Sequence, residues 1–94
     1  MNNLEYAAKR QTIINEFTEL AIIRNQRTAP NIEMARLGWM VRFIHSITLN
    51  NDGTITAFCS EKDQKSAAAR YAFNLVYVFV REYNQQITGL RNDL

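Results

Sequence analysis

The first pattern along the chain is a helical repeat of apolar residues over positions 3–27. At about 100° per residue, apolar side chains fall on one arc and polar ones on the opposite side. A face wider than half the circumference is typical of a helix that packs against two elements, or against one element and a second subunit. Arg10 lies within this arc, so either its stem packs while its charge reaches the rim, or it faces an acidic group on a partner chain. The arc consists of Leu4, Tyr6, Ala7, Ile13, Ile14, Phe17, Leu20, Ala21 and Ile22.

A second helix is predicted over residues 31–46. Pro30 cannot continue the first helix, and Asn31 is a good N-cap for the next one. The segment is apolar nearly all round as a helix, which predicts a central position. A competing interpretation makes residues 39–49 a strand with Trp39, Val41 and Phe43 on one face. We favour the helix because residues 34–36 already fit the helical pattern.

A β-hairpin is predicted over residues 47–58. Two β-branched segments flank the sequence Asn-Asn-Asp-Gly, and Gly53 can adopt the positive φ that a tight turn requires. Two strands alone are marginal in water. The hairpin is therefore expected either to lie on the helices or to join its edge to a second copy in a four-stranded sheet.

A single long helix is predicted over residues 60–88. Ser60 and Asp63 form a capping box at its start, and Gly89 stands where a C′ residue would end it. Such a helix would be about 40 Å long, which exceeds the diameter of about 26 Å expected of a compact domain of this size. It would protrude or cross a subunit boundary. The predicted fold class is therefore mainly α, a small α+β arrangement of helix, helix, β-hairpin and long helix, packed as a homodimer.

Length and composition predict one domain over residues 1–94. The hydrophobic fraction of 47% is ordinary for a globular protein, and the net charge of +2 is too small to indicate nucleic-acid binding by itself. Cys59 is the only cysteine, so no internal disulfide can form. No signal peptide or membrane span is recognised. We expect a cytoplasmic protein that makes no use of a membrane.

The residues that usually carry catalysis are few. His45 lies alone in an apolar segment, and Cys59 follows the predicted second strand. A Cys–His pair would require the hairpin to bring these two residues together, which a sequence cannot show. No metal-ligand spacing and no glycine-rich phosphate loop occurs. We therefore expect a protein without catalytic activity, cofactor or metal, and keep an enzyme that uses His45 and Cys59 as a distant alternative.

One polar row on the last predicted helix is the candidate binding site. Its members follow one another at spacings of four and three residues, so they form a single line along the helix. Arginine and tyrosine are enriched in interface hot spots, which favours a protein partner. The simpler interpretation is that the row is only the solvated face of the helix. A competing functional one is a nucleic-acid site in which arginines bind phosphates and the tyrosine stacks on a base or ribose. The row consists of Arg70, Asn74, Tyr77, Arg81 and Asn84.

The function predicted from these patterns is a small protein-binding module. It would be an oligomeric inhibitor, adaptor or regulatory subunit that acts on a partner protein, and the wide apolar faces of the helices favour a homo-oligomer. Small inhibitors of bacteria and their phages often have this size, which favours the cytoplasm of a bacterium or of a phage-infected host. The alternative is a protein that binds nucleic acid or a nucleotide through Arg70, Tyr77 and Arg81, with Arg24, Arg27 and Arg42 as possible additions.

Overall fold

A computed structural model describes residues 2–25 and 30–92 of the chain, which form four helices and one two-stranded hairpin. The predicted mainly α class is confirmed for the single chain, which is mostly helical, with a small antiparallel hairpin and a long C-terminal helix. The helical interpretation of residues 39–44 is also confirmed. The elements are α1 (Asn3–Asn25), α2 (Pro30–Ile44), β1 (Thr48–Leu49), β2 (Ile55–Thr56), α3 (Glu61–Gln64) and α4 (Ala67–Asn92).

Helix α2 begins and ends slightly earlier than predicted. Pro30 is its first residue, where a missing N–H does no harm and the fixed φ suits the helix. At the other end, Ser46 donates to the carbonyl of Phe43 through both its backbone N–H (3.0 Å) and its hydroxyl (2.6 Å). These bonds produce a tight turn at residues 45–46 in place of a further helical turn. The predicted end of the first helix, at residue 27, lies outside the described residues.

Helices α1, α2 and α4 enclose one hydrophobic core together with the hairpin. Phe17 of α1 contacts the rings of Phe79 and Tyr83 of α4 edge-on, with centroids 5.7 Å and 6.1 Å apart, a favoured aromatic geometry. Each fully buried large side chain contributes about 1.5–3 kcal/mol relative to an exposed one. The buried apolar residues are Ile13, Ile14, Phe17, Ala21, Met40, Phe43, Ile44, Ile47, Leu49, Ile55, Ala69, Ala72, Val76, Phe79 and Val80.

The hairpin forms at the predicted turn. Thr48 pairs with Thr56 and Leu49 pairs with Ile55, and Gly53 has the positive φ of 87° that the turn needs. The regular ladder covers only two residues in each strand, fewer than the predicted segments 47–49 and 54–58. Such a short ladder cannot be stable by itself, so its position depends on the helices.

Side chains from the first helix hold the outer edge of β1. The backbone N–H of Leu49 donates to the hydroxyl of Tyr6 at 3.2 Å. Arg10 donates through Nε to the carbonyl of Ile47 at 2.7 Å and through Nη2 to the carbonyl of His45. Arg10 is half-buried, and its guanidinium binds main-chain carbonyls of the same chain at the rim of the core. The occupied edge favours a hairpin that lies on the helices over one that extends into a second copy's sheet.

The prediction of a single helix over residues 60–88 is wrong, because the chain forms two helices there. The hydroxyl of Ser60 accepts from the backbone of Asp63 at 3.2 Å and so caps the short α3. The hydroxyl of Ser66 accepts from the backbone of Ala69 at 3.3 Å at the start of α4. Two serines capable of capping therefore start two helices. Gly89 does not end α4, which continues to Asn92.

Helix α4 sets the length of the molecule. Its 26 residues correspond to about 39 Å at the usual rise of an α-helix, and the longest dimension of the molecule is 44 Å. None of the helices in the described part of the chain combines the length and apolar content needed to cross a membrane.

We expect Arg10→Met to destabilise the fold while Lys9→Met does not. Methionine preserves the apolar stem of Arg10 but removes both charged hydrogen bonds to the α2–β1 turn, which should lower the free energy of unfolding by about 1.5–3 kcal/mol. Lys9 is exposed, so the same substitution there should change stability by no more than about 0.5 kcal/mol. Urea denaturation followed by circular dichroism measures both. Equal stability of the two variants would contradict the role assigned to Arg10.

Candidate partner-binding surface on helix α4

The five residues of the predicted polar row lie beside the chain segment that connects the hairpin to α3. At one end of the row, Asn84 binds the backbone of Ile55. At the other end, Arg70 binds the carbonyl of Gln64. The two ends of the row therefore contact the stretch of chain that runs from β2 to the end of α3. Its middle part, Asn74, Tyr77 and Arg81, is exposed.

Asn84 completes the hairpin. Its Oδ1 accepts from the backbone N–H of Ile55 at 2.8 Å, and its Nδ2 donates to the carbonyl of the same residue at 2.9 Å. A neighbouring strand would offer β2 the same donor and acceptor pair. Asn84 is half-buried and its amide is used within the chain. We therefore place Asn84 at the border of the candidate surface, as a structural residue.

Arg70 is used in part. Its Nη1 donates to the carbonyl of Gln64 at 2.6 Å, which satisfies one of the carbonyls left free at the end of α3. A guanidinium has five N–H donors, so others remain for a partner. Within residues 2–25 and 30–92, no hydrogen bond or ion pair involves the side chain of Asn74 or Arg81.

Tyr77 is the exposed end of a row of aromatic rings that leads into the core. Its ring lies 6.5 Å from that of Phe73, which contacts Phe43 edge-on at 5.3 Å. Phe43 is buried and stacks on Trp39 at 5.8 Å. Half of the Tyr77 surface remains exposed. The ring is therefore held on a rigid support while its outer face is open.

Two hollows flank the exposed residues, and arginine is the only charged residue type in either. The first, of about 390 Å³, has Arg81 as its only charged residue among the described lining; the second, of about 310 Å³, has only Arg70. An anionic group would therefore meet a favourable charge in both. The first is lined by Tyr77, Val80, Arg81, Asn84, Gln85, Thr88 and Gly89, and the second by Cys59, Gln64, Arg70, Phe73 and Asn74.

Sequence reasoning missed Gln85 and Thr88, which line the first hollow. They follow Arg81 by four and seven residues, and continuing the helical spacing past Asn84 would have found them. It also missed the role of Phe73 as the ring that contacts Tyr77. The sequence places Phe73 at the margin of the apolar face but does not show which side chain it contacts.

His45 and Cys59 lie in different hollows. The ring Nδ1 of His45 is 2.8 Å from the carbonyl of Val41, and His45 lines a hollow of about 360 Å³ with Phe58 and Asp63. Cys59 lines the hollow that contains Arg70. Desolvation raises the pKa of the Cys59 thiol, and the negative charge of Asp63 raises it further. A raised pKa disfavours the thiolate that a nucleophile requires.

The additional arginines considered for nucleic-acid binding are engaged elsewhere or lie outside the described residues. The guanidinium of Arg24 lies 4.6 Å from the ring centroid of Phe79. That of Arg42 lies 5.3 Å from the centroid of Trp39, and its Nη2 is 3.7 Å from Oδ2 of Asp63. Arg27 lies in the undescribed segment 26–29. In the described part of the chain, no three His, Cys, Asp or Glu residues are grouped as metal ligands.

No protein-family model, curated protein or solved structure matches this chain. The function of the α4 surface therefore has to be argued from its own residues and contacts.

We expect Asn84→Ala to destabilise the protein and Asn74→Ala to leave it unchanged or slightly more stable. Both positions are asparagines on α4, so replacement by alanine raises the helix propensity equally at both. The Asn74→Ala control measures this stabilising effect by itself. Only Asn84→Ala removes the two bonds to Ile55, which should cost about 1–3 kcal/mol relative to the control. Chemical denaturation measures the difference. Equal unfolding free energies would show that the amide of Asn84 does not hold the hairpin.

We expect the thiol of Cys59 to ionise at a higher pH in the folded protein than in the chain unfolded in urea, because of desolvation and the charge of Asp63. The rate of alkylation by iodoacetamide, measured as a function of pH in both states, gives the two midpoints. Cys59→Ser serves as the blank. A midpoint lower in the folded protein would contradict this expectation and favour a nucleophilic cysteine.

Proposed function

We propose that this chain is a small non-catalytic protein-binding module whose partner docks on α4 around Tyr77 and Arg81. The observation that carries the proposal is that these two side chains are exposed next to each other on a rigid helix, with Arg81 free of hydrogen bonds and ion pairs among the described residues. The module would act as an oligomeric inhibitor, adaptor or regulatory subunit, in the cytoplasm of a bacterium or a phage-infected host, without a metal or cofactor.

The chemistry of the surface favours a protein with an acidic docking segment. A supported aromatic ring provides a large contact area at low entropic cost, because Tyr77 has little freedom left to lose. An arginine beside it can bind a carboxylate through two parallel hydrogen bonds. Asn74 and Gln85 add amides that can adapt to a partner's backbone. The two flanking hollows contribute positive charge only, from Arg70 and Arg81.

The same features give less support to a nucleic-acid partner. Arg70 and Arg81 are about 16 Å apart along the helix, and one of them already binds Gln64. Arg24 and Arg42 contact aromatic rings away from the row. A surface that tracks a phosphate backbone usually gathers several free cations along one line.

We expect Arg81→Glu to abolish partner capture without loss of stability. The immobilised protein would be exposed to a lysate of the source cells, and retained proteins would be quantified by mass spectrometry. Reversing a hot-spot charge should weaken retention about tenfold or more, while thermal unfolding should change little because Arg81 has no bond within the described chain. Lys9→Glu makes the same charge change on an exposed part of α1 and should retain the same proteins.

Two results would contradict the proposal. The first is that Arg81→Glu retains every protein that the wild type and Lys9→Glu retain. The second is binding of a labelled oligonucleotide that weakens steeply with salt and is lost in Arg81→Glu, which would establish the nucleic-acid alternative.

A further inference from the structure

The pairing of the hairpin continues beyond its two-residue ladder. Thr48 pairs with Thr56, and in the same register Ser46 stands opposite Phe58. The backbone N–H of Phe58 donates to the hydroxyl of Ser46 at 3.2 Å. Residues 56 and 58 thus direct their backbone groups towards β1. Because these groups alternate in direction along an extended chain, residues 55, 57 and 59 direct theirs to the opposite side, which we call the outer edge of residues 55–59.

Two side chains close the ends of this outer edge, and its middle is left open. Asn84 binds both the N–H and the carbonyl of Ile55. The amide of Gln64 donates to the carbonyl of Cys59 at 3.0 Å. Between them, the N–H and C=O of the half-buried Ala57 form no hydrogen bond within residues 2–25 and 30–92. An unused donor and acceptor on a strand edge can pair with a further strand.

The open position lies beside the exposed middle of the polar row on α4. Ile55 contacts Asn84, and Cys59 lines the same hollow as Asn74. Residues 55–59 span about 13 Å at the rise of a β-strand, and residues 74–84 of α4 span about 15 Å. The outer edge therefore runs alongside α4 in the opposite direction, with its middle residue level with the turns that contain residues 77–81.

A positive charge stands at each end of the open position. The hollow that contains Asn84 also contains Arg81, and the hollow that contains Gln64 also contains Arg70. The two arginines are about 16 Å apart along the helix. A chain in extended conformation covers this distance with about five residues.

We propose that the partner's docking segment is an extended acidic peptide that pairs its backbone with Ala57. Two acidic side chains of the segment, about five residues apart, would then meet Arg81 and Arg70, and a side chain between them would pack on Tyr77. In this mode of recognition the main-chain hydrogen bonds provide affinity and the side chains provide specificity. An acidic helix fits less well, because its backbone groups are already paired internally and would leave those of Ala57 unused.

We expect the acetylated and amidated peptide Glu-Val-Thr-Val-Thr-Glu to bind the isotope-labelled protein with a dissociation constant below about 1 mM. Its glutamates have the spacing that the two arginines require. In a titration followed by nuclear magnetic resonance, the amide signal of Ala57 should shift, and its exchange with solvent should slow several-fold at saturation. The control peptide Lys-Val-Thr-Val-Thr-Lys should not bind. Absence of binding by the acidic peptide, or binding without any effect on the amide of Ala57, would overturn the inference.

Methylation of the peptide's backbone nitrogens tests whether one edge of the peptide is used. Two versions of the acidic peptide would carry N-methyl groups on alternate residues, so that each version blocks one of its two edges. The version blocked on the edge that pairs with Ala57 should bind at least about tenfold more weakly, and the other should bind like the unmodified peptide. Equal affinities of the two versions would show that no strand pairing occurs.

The same bond can be removed from the protein with Ala57→Pro. Proline lacks the N–H and is tolerated at an outward-facing position of an edge strand, so this variant should fold and bind the acidic peptide at least about tenfold more weakly. Ala57→Gly keeps the N–H and is the matched control. A folded Ala57→Pro that binds like the wild type would contradict the pairing. If urea denaturation shows that Ala57→Pro does not fold, the methylated peptides still decide, because they use the wild-type protein.

This inference rests on the proposed docking at Tyr77 and Arg81, and the two can fail separately. Peptide binding that is weakened by Arg81→Glu but not by a folded Ala57→Pro would keep the docking surface and overturn the extended pairing. The capture of cellular proteins with Arg81→Glu tests the proposed function without the peptide, so its failure would be seen there.

Discussion

The hairpin depends on hydrogen bonds from side chains of the two long helices. Its own ladder is two residues long, too short to persist in water without support. Arg10 and Tyr6 bind the β1 side of it, and Asn84 binds the β2 side. These bonds hold the hairpin between α1 and α4. The side of α4 that faces the hairpin is determined by the same contacts.

The elements with local signals could be predicted from the sequence. Periodic apolar residues identified the helices, and Asn-Asn-Asp-Gly identified the hairpin, because both signals reside within a few neighbouring residues. The break before α4 was missed because Ser60 and Ser66 can each cap a helix, and a sequence does not show that both do so. The placement of His45 and Cys59 in different hollows also depends on packing, which the sequence does not show.

The helical row of polar residues could be predicted from the sequence, but the different contacts of its members could not. A helical row of polar residues looks uniform in sequence. Asn84 and Ile55 are 29 residues apart, and Arg10 and Ile47 are 37 residues apart. Nothing local distinguishes a side chain that will bind such a distant backbone group from one that will remain open. Only the structure distinguishes the ends of the row, which bind the backbone of the same chain, from its exposed middle at Asn74, Tyr77 and Arg81.

The row of aromatic rings beneath the surface also has an optical consequence. Trp39 is the only tryptophan of the chain, and it is the half-buried far end of the row that passes through Phe43 and Phe73 to Tyr77. The fluorescence of a single indole reports one environment without overlap from others. Because each ring contacts the next, a docking molecule that shifted Tyr77 would change the packing of Phe73 and, through Phe43, the surroundings of this indole. Occupancy of the candidate site can therefore be tested by tryptophan fluorescence without an added label.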